Sequence, residues 1–77
     1  MKQFAEAEKS FLDADKLSKG KLPDVHWNLA LLYAYNLLKY SAAADRLELY
    51  LKNKPDAPAE SIKKLIQQFR EKATSSN

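Results

Sequence analysis

The chain has 77 residues, enough for one domain, and a chain of this size buries only about 60% of the surface that its unfolded form exposes. Apolar residues make up 45% and charged residues 30%, a composition that is ordinary for a folded globular domain and unlike that of a disordered chain. The absence of cysteine excludes disulfides, thiolate metal sites and cysteine nucleophiles. No apolar stretch reaches the roughly 18 residues of a membrane span, so we expect none.

The basic residues exceed the acidic ones, giving a net charge of +3, but the two signs are mixed along most of the chain. Two groups of lysines lie near predicted helix ends: Lys16, Lys19 and Lys21, then Lys52 and Lys54. Cations at these places complement the negative end of the helix dipole. We favour this interpretation, and a functional basic patch is the alternative.

The first predicted element is a helix from about Lys2 to Leu17. Its apolar residues recur at intervals of three and four, which places them on one helix face: Phe4, Ala7, Phe11 and Ala14. Gly20 follows the last turn and supplies the conformational freedom that a helix end needs.

The second predicted helix runs from about Asp24 to Leu38, after a connector in which Pro23 favours a helix start. It has almost no polar face, because apolar residues surround it: Val25, Trp27, Leu29, Ala30, Leu31, Leu32, Tyr33, Ala34, Tyr35, Leu37 and Leu38. An apolar helix of this kind must be covered on several sides. We therefore expect it to be the central helix of the core.

The third predicted helix begins with Ser41 as its N-cap and reaches about Lys52. Its inward face consists of apolar residues: Tyr40, Ala43, Ala44, Leu47, Tyr50 and Leu51. Its outward face is charged and includes Asp45, Arg46, Glu48 and Lys52.

Prolines 55 and 58 interrupt the chain before a fourth helix, predicted from about Pro58 to Ala73. One narrow apolar face of this helix can dock onto the others, through Ile62, Leu65, Ile66 and Phe69. No segment has the alternation of a strand. The prediction is a single all-α domain over residues 1–73, with four antiparallel helices joined by short loops, followed by a frayed tail over residues 74–77.

The two central helices resemble a tetratricopeptide repeat, a helix-turn-helix unit of about 34 residues. Its first-helix motif is similar to Asn28-Leu29-Ala30 followed by Tyr33, and its second-helix motif is similar to Tyr40, Ala43 and Leu47, with Pro55 at the proline that ends the repeat. The resemblance implies that Ala30 and Ala43 lie where the paired helices approach closely. The turn between Tyr33 and Ala43 has one residue more than the family's and lacks its usual glycine, so we expect it to be reshaped.

The flanking helices extend this resemblance to roughly residues 4–73. The first helix looks like the second half of a preceding repeat, and the last looks like the polar capping helix that closes a repeat array. The resemblance implies a stack of helix pairs, an α-solenoid fragment, that recognises a peptide or helix of a partner protein in its concave groove.

Groove residues on the second helix are expected to be Asp24, Trp27, Asn28, Leu31, Ala34 and Tyr35. Trp27, Leu31 and Tyr35 follow one another at intervals of four and form one apolar and aromatic stripe. The alternative is that this stripe packs inside the four-helix core. Some family members hold a peptide carboxylate with groove cations, but Trp27 and Leu31 stand beside Asn28 here, so we expect an apolar helix or extended peptide as the ligand.

Three other functional classes are considered. Self-association through the first helix would use Phe4, Phe11 and Leu12, since these side chains and Leu17 cannot all face one neighbour. Catalysis is not expected, because the only histidine, His26, lies two residues from Asp24 and so on a different helix face, and no metal-ligand or nucleophile spacing accompanies it. Nucleic-acid binding is disfavoured because only a few of the basic residues are clustered. No cofactor or metal is predicted.

Overall fold

The computed structural model describes residues 2–75, the side chain of Lys2 excepted. This part of the chain contains four helices and no strand: α1 (Lys2–Leu17), α2 (Pro23–Tyr35), α3 (Tyr40–Asn53) and α4 (Ala59–Ser75). The all-α prediction is confirmed. Met1, Ser76 and Asn77 lie outside the described residues. The predicted start of the domain at residue 1 and the predicted fraying of residues 76 and 77 therefore lie outside them too.

Most predicted helix bounds agree with the structure within two residues, and three details differ. Helix α2 ends at Tyr35 and not near Leu38, because the chain turns there. Ser41 is not the N-cap of α3, since the helix already begins at Tyr40 and Lys39 precedes it without a side-chain capping bond. Helix α4 continues through Ser75, two residues beyond its predicted end.

The C-terminus of α1 is closed by two backbone hydrogen bonds. The Gly20 N–H donates to the Asp15 carbonyl oxygen at 2.8 Å and the Lys19 N–H donates to the Lys16 carbonyl oxygen at 3.2 Å, the pattern of a Schellman motif. Lys19, with φ 58°, holds the first left-handed position, and Gly20, with φ 74°, follows it. The glycine is thus one residue later than the position that most often requires it.

The end of α2 is also closed by a non-glycine residue in the left-handed region. Leu38 has φ 54°, and the next residue, Lys39, donates its N–H to the Tyr33 carbonyl oxygen at 2.6 Å. This turn follows the early end of α2 and leads into α3, which begins at Tyr40.

The helices pack in chain order, α1 on α2, α2 on α3 and α3 on α4. Side-chain pairs join the start of α2 to the end of α3, as in Trp27 with Tyr50, and the start of α3 to the end of α4, as in Tyr40 with Phe69. These contacts are consistent with antiparallel neighbours. The Cα atoms occupy a slab of 34 × 33 × 14 Å. The shortest dimension is about the distance between the axes of two packed helices plus the diameter of one helix backbone.

The core lies between α2, α3 and α4. Its buried side chains come from these three helices: Val25, Leu29, Ala30, Tyr33, Ala34, Ala43, Ala44, Leu47, Ile62, Ile66 and Phe69. The buried alanines are on α2 and α3, where small side chains permit close packing of the helices. In α1, by contrast, no side chain among residues 3–17 is buried, although Phe11, Leu12 and Ala14 pack against the core.

Candidate functional site

An apolar and aromatic surface follows one side of α2. Trp27 and Leu31 are half-buried, and Tyr35, at the end of the helix, is 61% exposed. Residues four apart lie on one helix face, so these three side chains form a continuous strip, called here the α2 stripe. The structure leaves the Tyr35 end of this strip accessible and covers most of the Trp27 and Leu31 side chains.

Two ring contacts hold the ends of the α2 stripe. The Trp27 ring lies against the Tyr50 ring of α3, with centroids 5.2 Å apart and planes inclined at 46°. The Tyr35 ring meets Phe69 of α4 edge to face at 6.0 Å. Such contacts fix the rings without covering them. Trp27 therefore fits neither a pure groove residue nor a pure core residue. Its side chain packs against the core but is not fully covered.

The remaining predicted groove residues divide into two groups. Asp24 and Asn28 are exposed on α2 beside the stripe. Ala34 is 1% exposed and is part of the core. Including Ala34 in the groove must be corrected, because a side chain covered by neighbouring helices cannot contact a partner.

The residues predicted for self-association are only partly accessible. Phe4, Phe11 and Leu12 are half-buried, and the latter two pack against the core. Leu17, at the end of the same helix, is 86% exposed. The structure thus packs Phe11 and Leu12 against the core and leaves the most exposed apolar side chain of α1, Leu17, at its C-terminal end.

His26 lies in a polar cluster that joins three helices. It is 1% exposed, and its Nε2–H donates to the Gly20 carbonyl oxygen at 2.7 Å. Its Nδ1 accepts a hydrogen bond at 3.1 Å from Nη1 of Arg46, which also donates to Oδ2 of Asp15 at 3.0 Å. We assign the proton to Nε2 because only that tautomer gives both ring nitrogens a partner.

Sequence reasoning missed this cluster and placed Arg46 on the outward face of α3. That placement is wrong, since Arg46 is half-buried and contacts α1 and α2. One available signal is that Arg46 comes three residues after Ala43 and directly before Leu47, and so flanks the buried face of its helix. The partnership of Asp15 with His26 across two helices has no local signal in the sequence.

An open depression of about 310 Å³ lies beside this cluster. Asp15 and His26 line it together with residues from the α1–α2 connector and the end of α3: Lys19, Gly20, Lys21, Leu49, Lys52 and Asn53. The structure therefore brings members of the two lysine groups to one place. Their proximity gives the basic-patch alternative a structural basis that separate helix ends do not have.

A second polar contact joins α1 to α2. The Tyr33 hydroxyl donates to Oε2 of Glu8 at 2.9 Å. Burial, followed by this hydrogen bond and the charge of Glu8, raises the pKa of Tyr33 from 10.0 to about 12. The neutral phenol is thus the form that the fold stabilises.

Within residues 2–75 there is no group of three or more histidine, cysteine or acidic residues arranged to hold a metal ion. No helix in the same part of the chain is both long enough and apolar enough to cross a membrane. Comparison with protein-family models, with curated proteins and with solved structures gave no match to this chain.

Proposed function

We propose that this chain is a non-catalytic protein-interaction module that binds a peptide or helix of a partner protein on the α2 stripe. The single observation that supports it most is the 61% exposure of Tyr35, at one end of a strip whose other members, Trp27 and Leu31, are half-buried and not fully covered. The resemblance to a tetratricopeptide repeat supports the same side of α2 as the binding surface.

The chemistry of the stripe favours an apolar ligand with a few polar edges. Tryptophan and tyrosine bury large rigid surfaces in interfaces and retain a hydrogen-bond donor at the ring edge. Asp24 and Asn28 lie exposed on the same helix and can accept hydrogen bonds at the margin of a bound segment. An amphipathic helix that presents apolar residues at intervals of three and four matches a strip of this shape.

The test is a titration of the isotope-labelled chain with a library of amphipathic helical peptides, followed by NMR. Binding peptides are expected to shift the signals of Trp27, Leu31 and Tyr35 and to change the fluorescence of the single tryptophan. Replacing Leu31 with serine should weaken such binding on the order of tenfold, because an apolar contact at the centre of the interface is lost.

Leu17→Ser is the matched control, since this leucine is also exposed but lies at the end of α1. It should leave peptide affinity unchanged. Peptides whose affinity falls equally with both substitutions, or whose shifts avoid α2, would count against the proposal.

A second candidate function is self-association through α1. The observation in its favour is that α1 has half-buried aromatic side chains, Phe4 and Phe11, and no buried side chain among residues 3–17. A second copy could cover this apolar surface. Light scattering over a range of concentrations tests the idea: a concentration-dependent mass that Phe4→Ser abolishes supports it, and a constant monomer mass contradicts it.

A further inference from the structure

An exposed carboxylate extends the α2 stripe toward the start of its helix. Asp24 precedes Trp27 by three residues and Leu31 by seven, so it lies on the same side of α2 as the stripe. The Asp24 side chain is exposed, and within residues 2–75 it forms no ion pair. The stripe therefore begins beside a negative charge that is not paired within the described chain.

A cation lies near the other end of the stripe. The Tyr35 ring meets the Phe69 ring edge to face at 6.0 Å, and the Tyr40 ring lies 6.1 Å from the same Phe69 ring. The Lys72 Nζ atom is in turn 5.3 Å from the centroid of the Tyr40 ring, close enough for a cation–π contact. Lys72 is exposed and, among the described residues, has no carboxylate within ion-pair distance. These ring contacts place a positive charge at the Tyr35 end of the stripe.

The two charges stand at opposite ends of an apolar strip about three helical turns long. Asp24 and Tyr35 are eleven residues apart, which corresponds to about 16 Å along α2. Trp27 and Leu31 lie between them and are half-buried. A ligand helix with one charge of each sign at its two ends would meet opposite charges in one orientation on this strip and like charges in the other.

From this polarity we infer that the helix bound on the α2 stripe carries an acidic residue in its first turn and a basic residue in its last turn, and that it lies antiparallel to α2. The inference rests on the proposed peptide binding and adds the charge pattern and the direction of the ligand. In this orientation the acidic first turn meets Lys72 and the basic last turn meets Asp24. The same two charges stabilise the ligand helix itself, since acidic groups favour the N-terminus of a helix and basic groups its C-terminus. A parallel ligand would need the reverse pattern, which weakens its own helix.

Two synthetic peptides test the contact with Lys72. Both are amphipathic helices of about 15 residues, built from leucine, alanine and glutamine with a lysine in the last turn, and they differ only in a glutamate or a lysine in the first turn. The fluorescence of Trp27, the only tryptophan, reports their affinities. The wild-type chain should bind the glutamate peptide on the order of fivefold more tightly than the lysine peptide. Lys72→Glu should shift this preference toward the lysine peptide on the order of tenfold. Because both peptides are measured on both chains, the difference in their own helicity cancels.

Lys63→Glu is the matched control. Lys63 is exposed on α4, and because it precedes Lys72 by nine residues, it lies on the opposite side of the helix. This variant has the same net charge as Lys72→Glu and should keep the wild-type preference. An equal shift in both variants would show a general charge attraction and overturn the inference. An unchanged preference in Lys72→Glu overturns it too but leaves peptide binding on the stripe intact, whereas failure of the wild-type chain to bind either peptide contradicts the proposed function as well.

A spin label at the N-terminus of the glutamate peptide tests the direction of the bound helix. In the antiparallel orientation the label should broaden the NMR signals of the Tyr35 and Lys72 amides more than that of Asp24. Asp24→Asn should weaken binding of this peptide on the order of twofold, and it should not weaken binding of a control peptide whose last-turn lysine is replaced by glutamine. Stronger broadening at Asp24 than at Tyr35 would show a parallel ligand and overturn the inference.

Discussion

His26 shows how one buried polar side chain can hold together parts of the chain that are distant in sequence. Its two ring nitrogens contact the Gly20 carbonyl oxygen and Arg46, and the latter reaches Asp15 of α1. Removing the ring would take away the donor of the part-buried Gly20 carbonyl and one of the two partners of Arg46, which would keep Asp15, and would leave a cavity. We therefore expect His26→Ala to lower the free energy of unfolding by about 2–4 kcal/mol, measured by urea denaturation.

Asn28→Ala is the control for this prediction, because Asn28 lies on the same helix and is exposed. It should change the stability by no more than about 0.5 kcal/mol. If His26→Ala were as mild as Asn28→Ala, the hydrogen bonds of the polar cluster would contribute little to the fold.

Tyr33 makes the stability depend on pH in the alkaline range. Its pKa is about 12 in the folded chain, compared with 10.0 for an unperturbed tyrosine. Between these values the unfolded chain releases the phenolic proton while the folded chain retains it, so stability falls as the pH rises through this interval. The loss is up to about 3 kcal/mol, since each pKa unit corresponds to about 1.4 kcal/mol. The stability of wild type relative to Tyr33→Phe should therefore decrease above a pH of about 10.

Glu8→Gln tests the cause of this shift. It removes the carboxylate that accepts the Tyr33 hydrogen bond and whose charge opposes phenolate formation, and it leaves the burial of the ring in place. An ultraviolet titration of phenolate formation should show that the tyrosine with the highest pKa in the wild type ionises at a lower pH in Glu8→Gln. Identical titration curves would exclude a contribution from the carboxylate.

At the scale of helices, the turn between α2 and α3 retains strain that a substitution can remove. Leu38 adopts φ 54° and is 64% exposed, so the side chain contributes little burial in return for the unfavourable backbone. Leu38→Gly should raise the free energy of unfolding by about 0.5–1 kcal/mol. This gain is the backbone strain that the glycine relieves minus the cost of the greater entropy that it gives the unfolded chain. Thermal and urea unfolding measure the change.

Leu17→Gly is the matched control, because Leu17 is an exposed leucine in a helical conformation. There the same substitution should destabilise the chain by about 0.5–1 kcal/mol. A loss of stability in both variants would mean that the side chain of Leu38 makes a contact that outweighs its strain.

Periodic apolar residues were sufficient to predict α1, α3 and α4, and an almost uniformly apolar segment bounded by Pro23 predicted α2. The end of α2 was not predicted correctly, because the turn after it depends on Leu38, whose left-handed conformation its residue type disfavours. Spacing alone placed Trp27, Leu31 and Tyr35 in one stripe but did not decide between core and groove, and the groove was wrongly extended to Ala34. The burial of Ala34 depends on which side of α2 the neighbouring helices cover, and the sequence does not show this. In the same way, Arg46 turns inward only because Asp15 and His26 lie within its reach.

At the scale of the whole molecule, chain-order packing makes the helices unequal. α2 and α3 each have a packed neighbour on two sides, whereas α1 packs mainly on α2. No side chain of α1 among residues 3–17 is buried, and its attachment depends on half-buried apolar contacts together with the polar contacts of Glu8 and Asp15. A helix held by few buried side chains can open without the unfolding of the rest.

Hydrogen exchange should therefore divide the chain into two stability levels. The amides of α1 are expected to exchange through local opening, with protection lower than that of α2 and α3, which should exchange only through global unfolding. Asp15→Asn removes the negative charge that Arg46 contacts, and it should accelerate exchange in α1 more than in α3. Exposed polar positions of α4, such as Gln68→Asn, provide a control that should leave the α1 rates unchanged. Equal protection in α1 and α3, with equal response to Asp15→Asn, would instead indicate one cooperative unit, in which the polar contacts of α1 couple it to the core as strongly as buried apolar side chains do.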